Sequence, residues 1–295
     1  MKQSSVVTQA FGIPPELYTR DYYLNESGGM RSLISAVRSG DFRKVHRYNT
    51  FRTAIEMSMP NPSSHVLDVG CGLGEICLML AKQGIRVLGI DYSRDSIELC
   101  NEHKRLLLPT EKNLVRFIQM NILDQRLPFS DSSFDIIFFL DVIEHLTEAQ
   151  ARVALRRMFR LLRPGGKLVI HTNNVLFGKL SYRAVAFFYH GWKALGSFGT
   201  RSIEAVQSPY EYLHIQYYSR KRLASILRLC GLIPSVTFVR PESFQQVKAL
   251  VPFNRRILGI VIPALIYWLS KTPFLAFMAP SLWAIGKKPS QRQGA

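Results

Sequence analysis

The stretch Val66-Leu67-Asp68-Val69-Gly70-Cys71-Gly72-Leu73-Gly74-Glu75 decides the fold. Val66 to Val69 reads as a buried strand, followed by a glycine turn and a helix over Glu75–Lys82. Glycines at 70, 72 and 74 let the backbone turn tightly at positive φ and let a ligand lie against it. Downstream, Arg86-Val87-Leu88-Gly89-Ile90-Asp91 reads as a second strand. It ends in a carboxylate placed to accept both hydroxyls of a ribose. Strand, turn, helix and strand-end acid together imply a nucleoside-cofactor site.

A dinucleotide fingerprint carries its third glycine at the position Glu75 occupies here. A pyrophosphate also needs the helix N-terminus free of competing negative charge, which Glu75 and Asp68 supply. A cofactor with a cationic sulfonium, an ammonium group and no phosphate suits such a loop better.

With these residues the chain resembles the class I S-adenosylmethionine-dependent methyltransferases, whose first motif looks like VLDVGCGLGE. The resemblance implies an α/β fold: a doubly wound, Rossmann-like, seven-stranded, mostly parallel sheet with helical cap insertions. It implies S-adenosyl-L-methionine as cofactor. The residues it assigns to cofactor binding are Asp68, Gly70, Cys71, Gly72, Gly74, Asp91, Tyr92, Asn121, Ile122 and Leu140. Asn121 stands where the family usually has Asp; its side-chain carbonyl can still accept from an adenine amino group, and Asp124 competes for that role. Further strands are expected over residues 114–119, 133–140, 168–171, 234–239 and 281–286, with a turn at residues 163–167.

Helices are expected over residues 93–108 and 147–162, with Thr147 as N-cap, and from Ser219 to Cys230, closed by Gly231. The domain reading is an N-terminal helical cap at 1–62, a cofactor-binding core at 63–173 and a substrate cap at 174–213. Residues 214–295 complete the core. Leu33, Ile34, Val37, Tyr48, Phe51 and Ile55 share one helical face within residues 31–58. Tyr22 and Tyr23 are either lid residues over the cofactor or surface aromatics packing a short helix.

Residues 1–150 hold 16 Lys+Arg against 18 Asp+Glu, whereas residues 151–295 hold 22 against 3. So basic a half attracts polyanions, either an anionic membrane surface or nucleic acid, unless it is merely solvated. Residues 257–279 hold two apolar runs interrupted by prolines and flanked by Arg255-Arg256 and Lys287-Lys288. Neither run has the roughly 20 residues a spanning helix needs. They suit a segment lying in a membrane interface, or a hydrophobic hairpin over the pocket or at a dimer interface. Four scattered cysteines show no metal-ligand spacing, and no metal site is expected. No long apolar leader follows Met1, so a reducing, cytoplasmic setting is expected, peripheral to a membrane.

The candidate catalytic residues are His145, Asp141 and His214. His145 follows strand four at the carboxyl edge, where open α/β sheets bind ligands, and imidazole suits proton abstraction at neutral pH. Asp141 or Glu144 could orient it; alternatively, His145 only shapes the cofactor pocket. His171 is expected in the core. The Asp141…Glu144-His145 arrangement resembles the small-molecule branch, including the O-methyltransferases of ubiquinone synthesis. That implies O-methylation of a small lipophilic substrate at a membrane. RNA methylation by the basic half is the alternative. It is weakened because Leu140-Asp141-Val142-Ile143 is not the Asn/Asp-Pro-Pro-aromatic motif that holds a flipped base.

Overall fold

The structure is a computed structural model that describes residues 13–26, 30–174, 215–239, 264, 267–268 and 281–290. Five strands run parallel: β1 (His65–Val69), β2 (Arg86–Asp91), β3 (Val115–Gln119), β4 (Phe134–Leu140) and β5 (Leu162–Asn173). β6 (Ile233–Val239) and β5 both pair antiparallel with β7 (Ser281–Lys287). The order across the sheet is β3-β2-β1-β4-β5-β7-β6. The chain leaves β1 toward β2 and β3, then crosses back to β4 on the other side. That reversal opens a crevice outside the carboxyl ends of β1 and β4, where sheets of this kind bind ligands.

The strands read as continuous apolar runs because both faces are covered. Along β4, Phe138 packs into one core layer, while Ile137 and Phe139 pack into the other; all three are fully buried. The first layer is closed by α2 (Met30–Ser39), α3 (Tyr48–Ser58), α4 (Glu75–Lys82) and α5 (Arg94–Lys104), through Leu33, Phe51, Leu80 and Leu99. The second is closed by α7 (Glu148–Leu161) and α8 (Arg220–Leu229), through Leu155, Met158, Leu223 and Leu227. The remaining helices are α1 (Arg20–Glu26) and the short α6 (Pro109–Lys112).

Helix starts follow their caps. Thr147 and Gln150 form a reciprocal capping box at α7, with hydrogen bonds of 2.9 and 3.3 Å. The Ser219 hydroxyl caps α8 at 3.2 Å, and Gly231 closes that helix with φ +88°.

Three boundaries differ from expectation. The helix expected over 93–108 stops at Lys104, because Pro109 starts a new turn and disfavours helical backbone at Leu108. The face read along 31–58 is split into α2 and α3, separated after Gly40 at φ +79°. β5 begins at Leu162 rather than 168. The turn at residues 163–166 is drawn into the sheet by Gly165 donating to Lys288 (3.0 Å) and Lys288 donating to Gly166 (2.9 Å).

Candidate active site

The turn after β1 forms the floor of the site. Gly70 has φ +77°, and a Cβ on it would lie 2.5 Å from Val142 Cγ2, so no other residue fits there. Gly70 and Cys71 donate their N–H groups to the Ile90 carbonyl at 2.8 and 3.1 Å. The Asp91 carboxylate accepts from Gly72 N–H at 3.1 Å and from Ser93 N–H at 2.9 Å. Burial pushes Asp91 up to about 6, despite those hydrogen bonds.

A cavity of about 720 Å³ stands over this floor. Gly70, Gly72, Asp91, Tyr92, Met120, Asn121 and Ile122 line one side. Leu140, Asp141, Val142, His145, Leu146 and Gln150 line another, at the carboxyl end of β4. Ile13, Pro14, Leu17, Tyr18, Tyr22 and Tyr23 form the roof, and Arg47 enters from the start of α3.

Three residues expected at the cofactor do not line this cavity. Asp68 is buried in β1, where it accepts from Cys77 Sγ at 3.4 Å and burial pushes it up to about 7. Cys71 is turned inward, its Sγ 3.9 Å from that of Cys100. Gly74 caps α4 at φ +78° and packs on Phe117. These three shape the turn from behind. Asn121 lines the cavity, but its side-chain carbonyl already accepts from Leu123 N–H at 2.9 Å. The competing Asp124 lies outside the lining and accepts from Asn121 N–H at 3.2 Å.

The roof is tied down over α5. Ser93 Oγ donates to the Tyr18 carbonyl (2.8 Å), and Tyr92 OH donates to the Ile13 carbonyl (3.3 Å). Arg20 grips Glu102 with two hydrogen bonds, of 3.0 and 2.8 Å. Tyr18 is the hub of an aromatic cluster, its ring 5.0 Å from Tyr22, 5.6 Å from Tyr92 and 6.0 Å from His145. Burial raises the pKa of Tyr18, Tyr23 and Tyr92, helped by the neighbouring tyrosines at Tyr18 and by Asp91 at Tyr23 and Tyr92, so all three stay neutral phenols. Of the two readings of Tyr22 and Tyr23, the geometry supports the roof: both face the cavity.

At the end of β4, Asp141 adopts φ +54°, a left-handed conformation that costs a non-glycine residue about 1–3 kcal/mol. Three bonds hold it there. Its carboxylate pairs with Arg47 and accepts from His171 Nδ1 at 2.5 Å, and its N–H donates to the His171 carbonyl at 3.0 Å. Burial opposes the Asp141 charge, but Arg47 and His171 outweigh it and hold the carboxyl well below the usual range. His171 is buried as expected, yet it belongs to this polar network and stacks on Trp283 at 4.5 Å. Arg47 is also raised: burial works against it, and Asp141, Glu75, Glu144 and Asp68 overcome that.

Glu144 and His145 sit on a 3-10 turn (Ile143–His145) and diverge. Glu144 is buried and accepts from Thr172 Oγ1 at 3.0 Å. Burial and the nearby Asp141 push it up to about 8, so it is protonated at neutral pH. His145 faces the cavity beside Tyr18. Glu144 thus bonds Thr172, and Asp141 bonds Arg47 and His171, with His145 also among the groups that favour the Asp141 charge. His214, the substrate cap expected over 174–213 (apart from Asn174) and the apolar segment 257–279 (apart from Ala264, Tyr267 and Trp268) lie outside the described residues. Among the described residues, no helix is long and apolar enough to cross a membrane, and no group of three His, Cys, Asp or Glu is arranged to hold a metal.

Sequence reading misses Arg47, Met120, Gln150 and the Ile13–Pro14 part of the roof. Only the closely spaced tyrosines at 18, 22 and 23 signal a roof at all. Arg47 looks locally like any residue of the basic run Arg43-Lys44…Arg47.

Comparison with known proteins agrees with this geometry. A family profile described as "Methyltransferase domain" matches residues 67–170. The chain carries a class I, S-adenosylmethionine-dependent methyltransferase domain. A "Ubiquinone biosynthesis O-methyltransferase" of Coxiella burnetii is 31% identical over 153 residues, 51% of this chain and 62% of that protein. An "O-methyltransferase" of Pyrenophora dematioidea is 32% identical over 112 residues, 38% of this chain and 40% of that one. The matches thus span about three-fifths or less of those relatives. Among solved structures, a geranyl diphosphate methyltransferase with sinefungin aligns at TM-score 0.56 and 16% identity, covering 83% of this chain and 80% of that one. The [4+2]-cyclase SpnF aligns at TM-score 0.55 and 16% identity, covering 89% and 95%. These structural likenesses concern the fold alone. A cyclase among them underlines that the methyltransferase domain's chemistry must be argued from its site.

Proposed function

We propose that this chain transfers a methyl group from S-adenosylmethionine to an oxygen of a small lipophilic acceptor at a membrane. The observation that carries the reading is the cavity at the strand-order reversal, with the Gly70–Gly72 turn and Asp91 on its floor and His145 on its wall. S-adenosylmethionine, when bound, supplies an electrophilic methyl group on a sulfonium. Asp91 would accept from the ribose hydroxyls, and Gly70 and Gly72 allow close backbone approach. Tyr92, Asn121 and Ile122 would flank the base, with Asn121 using the second lone pair of its carbonyl.

The acceptor would lie against Leu17, Tyr22, Leu146 and the remaining roof, which exclude water and suit an apolar body. His145 would take the proton from its hydroxyl as the new bond to the methyl carbon forms, a role typically worth 10²–10⁴ in rate. The peripheral membrane setting on the cytoplasmic side is part of the same proposal, supported by the charge asymmetry of the chain.

A product search tests the reading. The protein is incubated with membrane extract and methyl-labelled S-adenosylmethionine, and label is partitioned between lipid, RNA and protein. Label in the organic-soluble fraction as a methyl ether is expected. Label confined to RNA would replace this proposal with the nucleic-acid reading.

A further inference from the structure

We propose that the outer face formed by α7 and α8 is a docking surface for an anionic lipid bilayer. The two helices pack side by side on one face of the sheet. Arg222 of α8 bridges to Glu148 of α7 at 2.8 Å, Cys230 Sγ lies 3.8 Å from the Arg152 carbonyl, and Gly231 packs on Phe159. Glu148 is the one acid in the two helices, and it is already paired with both Arg152 and Arg222. Arg156, Lys221 and Arg228 are exposed and make no ion pair with any described residue.

Apolar side chains stand among these cations. Leu229 at the end of α8 is 60% exposed, and Val153 is exposed on α7. Phosphates alone would be satisfied by the cations. Exposed aliphatics interleaved with cations fit a bilayer surface, where headgroups meet the charge and the acyl boundary takes the apolar groups. The upper end of the face reaches the cavity rim, because Gln150 in the first turn of α7 lines the cavity. Docking by this face therefore brings the cavity rim to the bilayer surface, where a lipophilic acceptor would reside. This placement of the acceptor rests on the proposed function; the docking itself does not.

The test is flotation of the full chain with phosphatidylcholine vesicles, with and without phosphatidylglycerol. The wild type should float only with the anionic vesicles, and less at high salt. A variant with Arg156→Gln, Lys221→Gln and Arg228→Gln should bind them roughly a hundredfold more weakly, at roughly fivefold per cation. Leu229→Ser with Val153→Ser should weaken binding further. Both variants should keep the wild-type melting temperature and S-adenosylhomocysteine affinity. The proposal is overturned if the triple variant floats like wild type, if neutral vesicles bind equally well, or if the three cations govern RNA binding while vesicles are ignored. A wild type that floats but does not bind S-adenosylhomocysteine would sink the proposed function and leave the docking surface standing.

Discussion

Replacing Gly74 by Ala strikes the turn without touching the cavity, and its consequence can be worked out from the contacts. The residue sits at φ +78°, where an L side chain is strained by about 1–2 kcal/mol. Its new Cβ would lie 2.8 Å from Phe117 Cζ, 3.0 Å from Phe117 Cε1 and 3.1 Å from Cys100 Sγ. Phe117 is itself buried between α5 and the sheet, so relief requires displacing a packed ring, which costs about 1–3 kcal/mol. The unfolded chain loses entropy when Gly becomes Ala, returning about 0.4–1 kcal/mol. The net expectation is a loss of about 1–5 kcal/mol in urea unfolding. Phe117→Leu removes the two nearest ring atoms but leaves the backbone strain. In a double-mutant cycle, Gly74→Ala should therefore cost about 1 kcal/mol less when Phe117→Leu is already present. A Gly74→Ala loss below about 0.5 kcal/mol, or zero coupling to position 117, would refute the packing argument.

Other perturbations probe the polar side of the site. Arg47→Met leaves Asp141 buried without its cation. Breaking such a pair costs about 3–5 kcal/mol when fully buried, and partial exposure here lowers that to about 2–3 kcal/mol at pH 7, read as a lower melting temperature. Asp141 has a depressed pKa, so the pair stabilises above the ordinary carboxylate pKa near 4. The penalty should shrink in acid as Asp141 protonates. S-adenosylhomocysteine affinity should weaken as pH falls through about 6, where Asp91 becomes protonated and loses acceptor capacity; titration calorimetry across pH 5–8 would show it. His145→Gln should lower kcat by 10²–10⁴ with S-adenosylhomocysteine binding intact; an unchanged kcat would reduce His145 to a wall residue.

The parts of the site legible in the sequence are those set by short-range chemistry. The Gly70–Gly74 turn, the acid ending β2 and the Thr147 and Ser219 caps each depend on neighbours a few residues away. Their spacing carries the information. The antiparallel β7, inserted between β5 and β6, is not legible this way, because its pairing joins segments far apart in sequence. Asp141 illustrates the same limit within the site. Its position after β4 is readable, but its partner Arg47 lies 94 residues upstream, and its left-handed backbone follows from that long-range pairing with Arg47 and His171. Cys71 and Gly74 depart from expectation for a complementary reason. Membership of the turn says a residue is near the ligand, whereas the side-chain direction and the helix cap decide whether it faces it.

The central claim is that this cavity holds an S-adenosyl cofactor on the Gly70–Gly72 turn and Asp91. Calorimetric titration of the full chain with S-adenosylhomocysteine and with NAD tests it most directly, alongside Asp91→Asn. The account predicts saturable binding of S-adenosylhomocysteine, affinity at least about tenfold weaker in Asp91→Asn, and no binding of NAD. Absence of heat with S-adenosylhomocysteine, or equal binding of NAD, would contradict it.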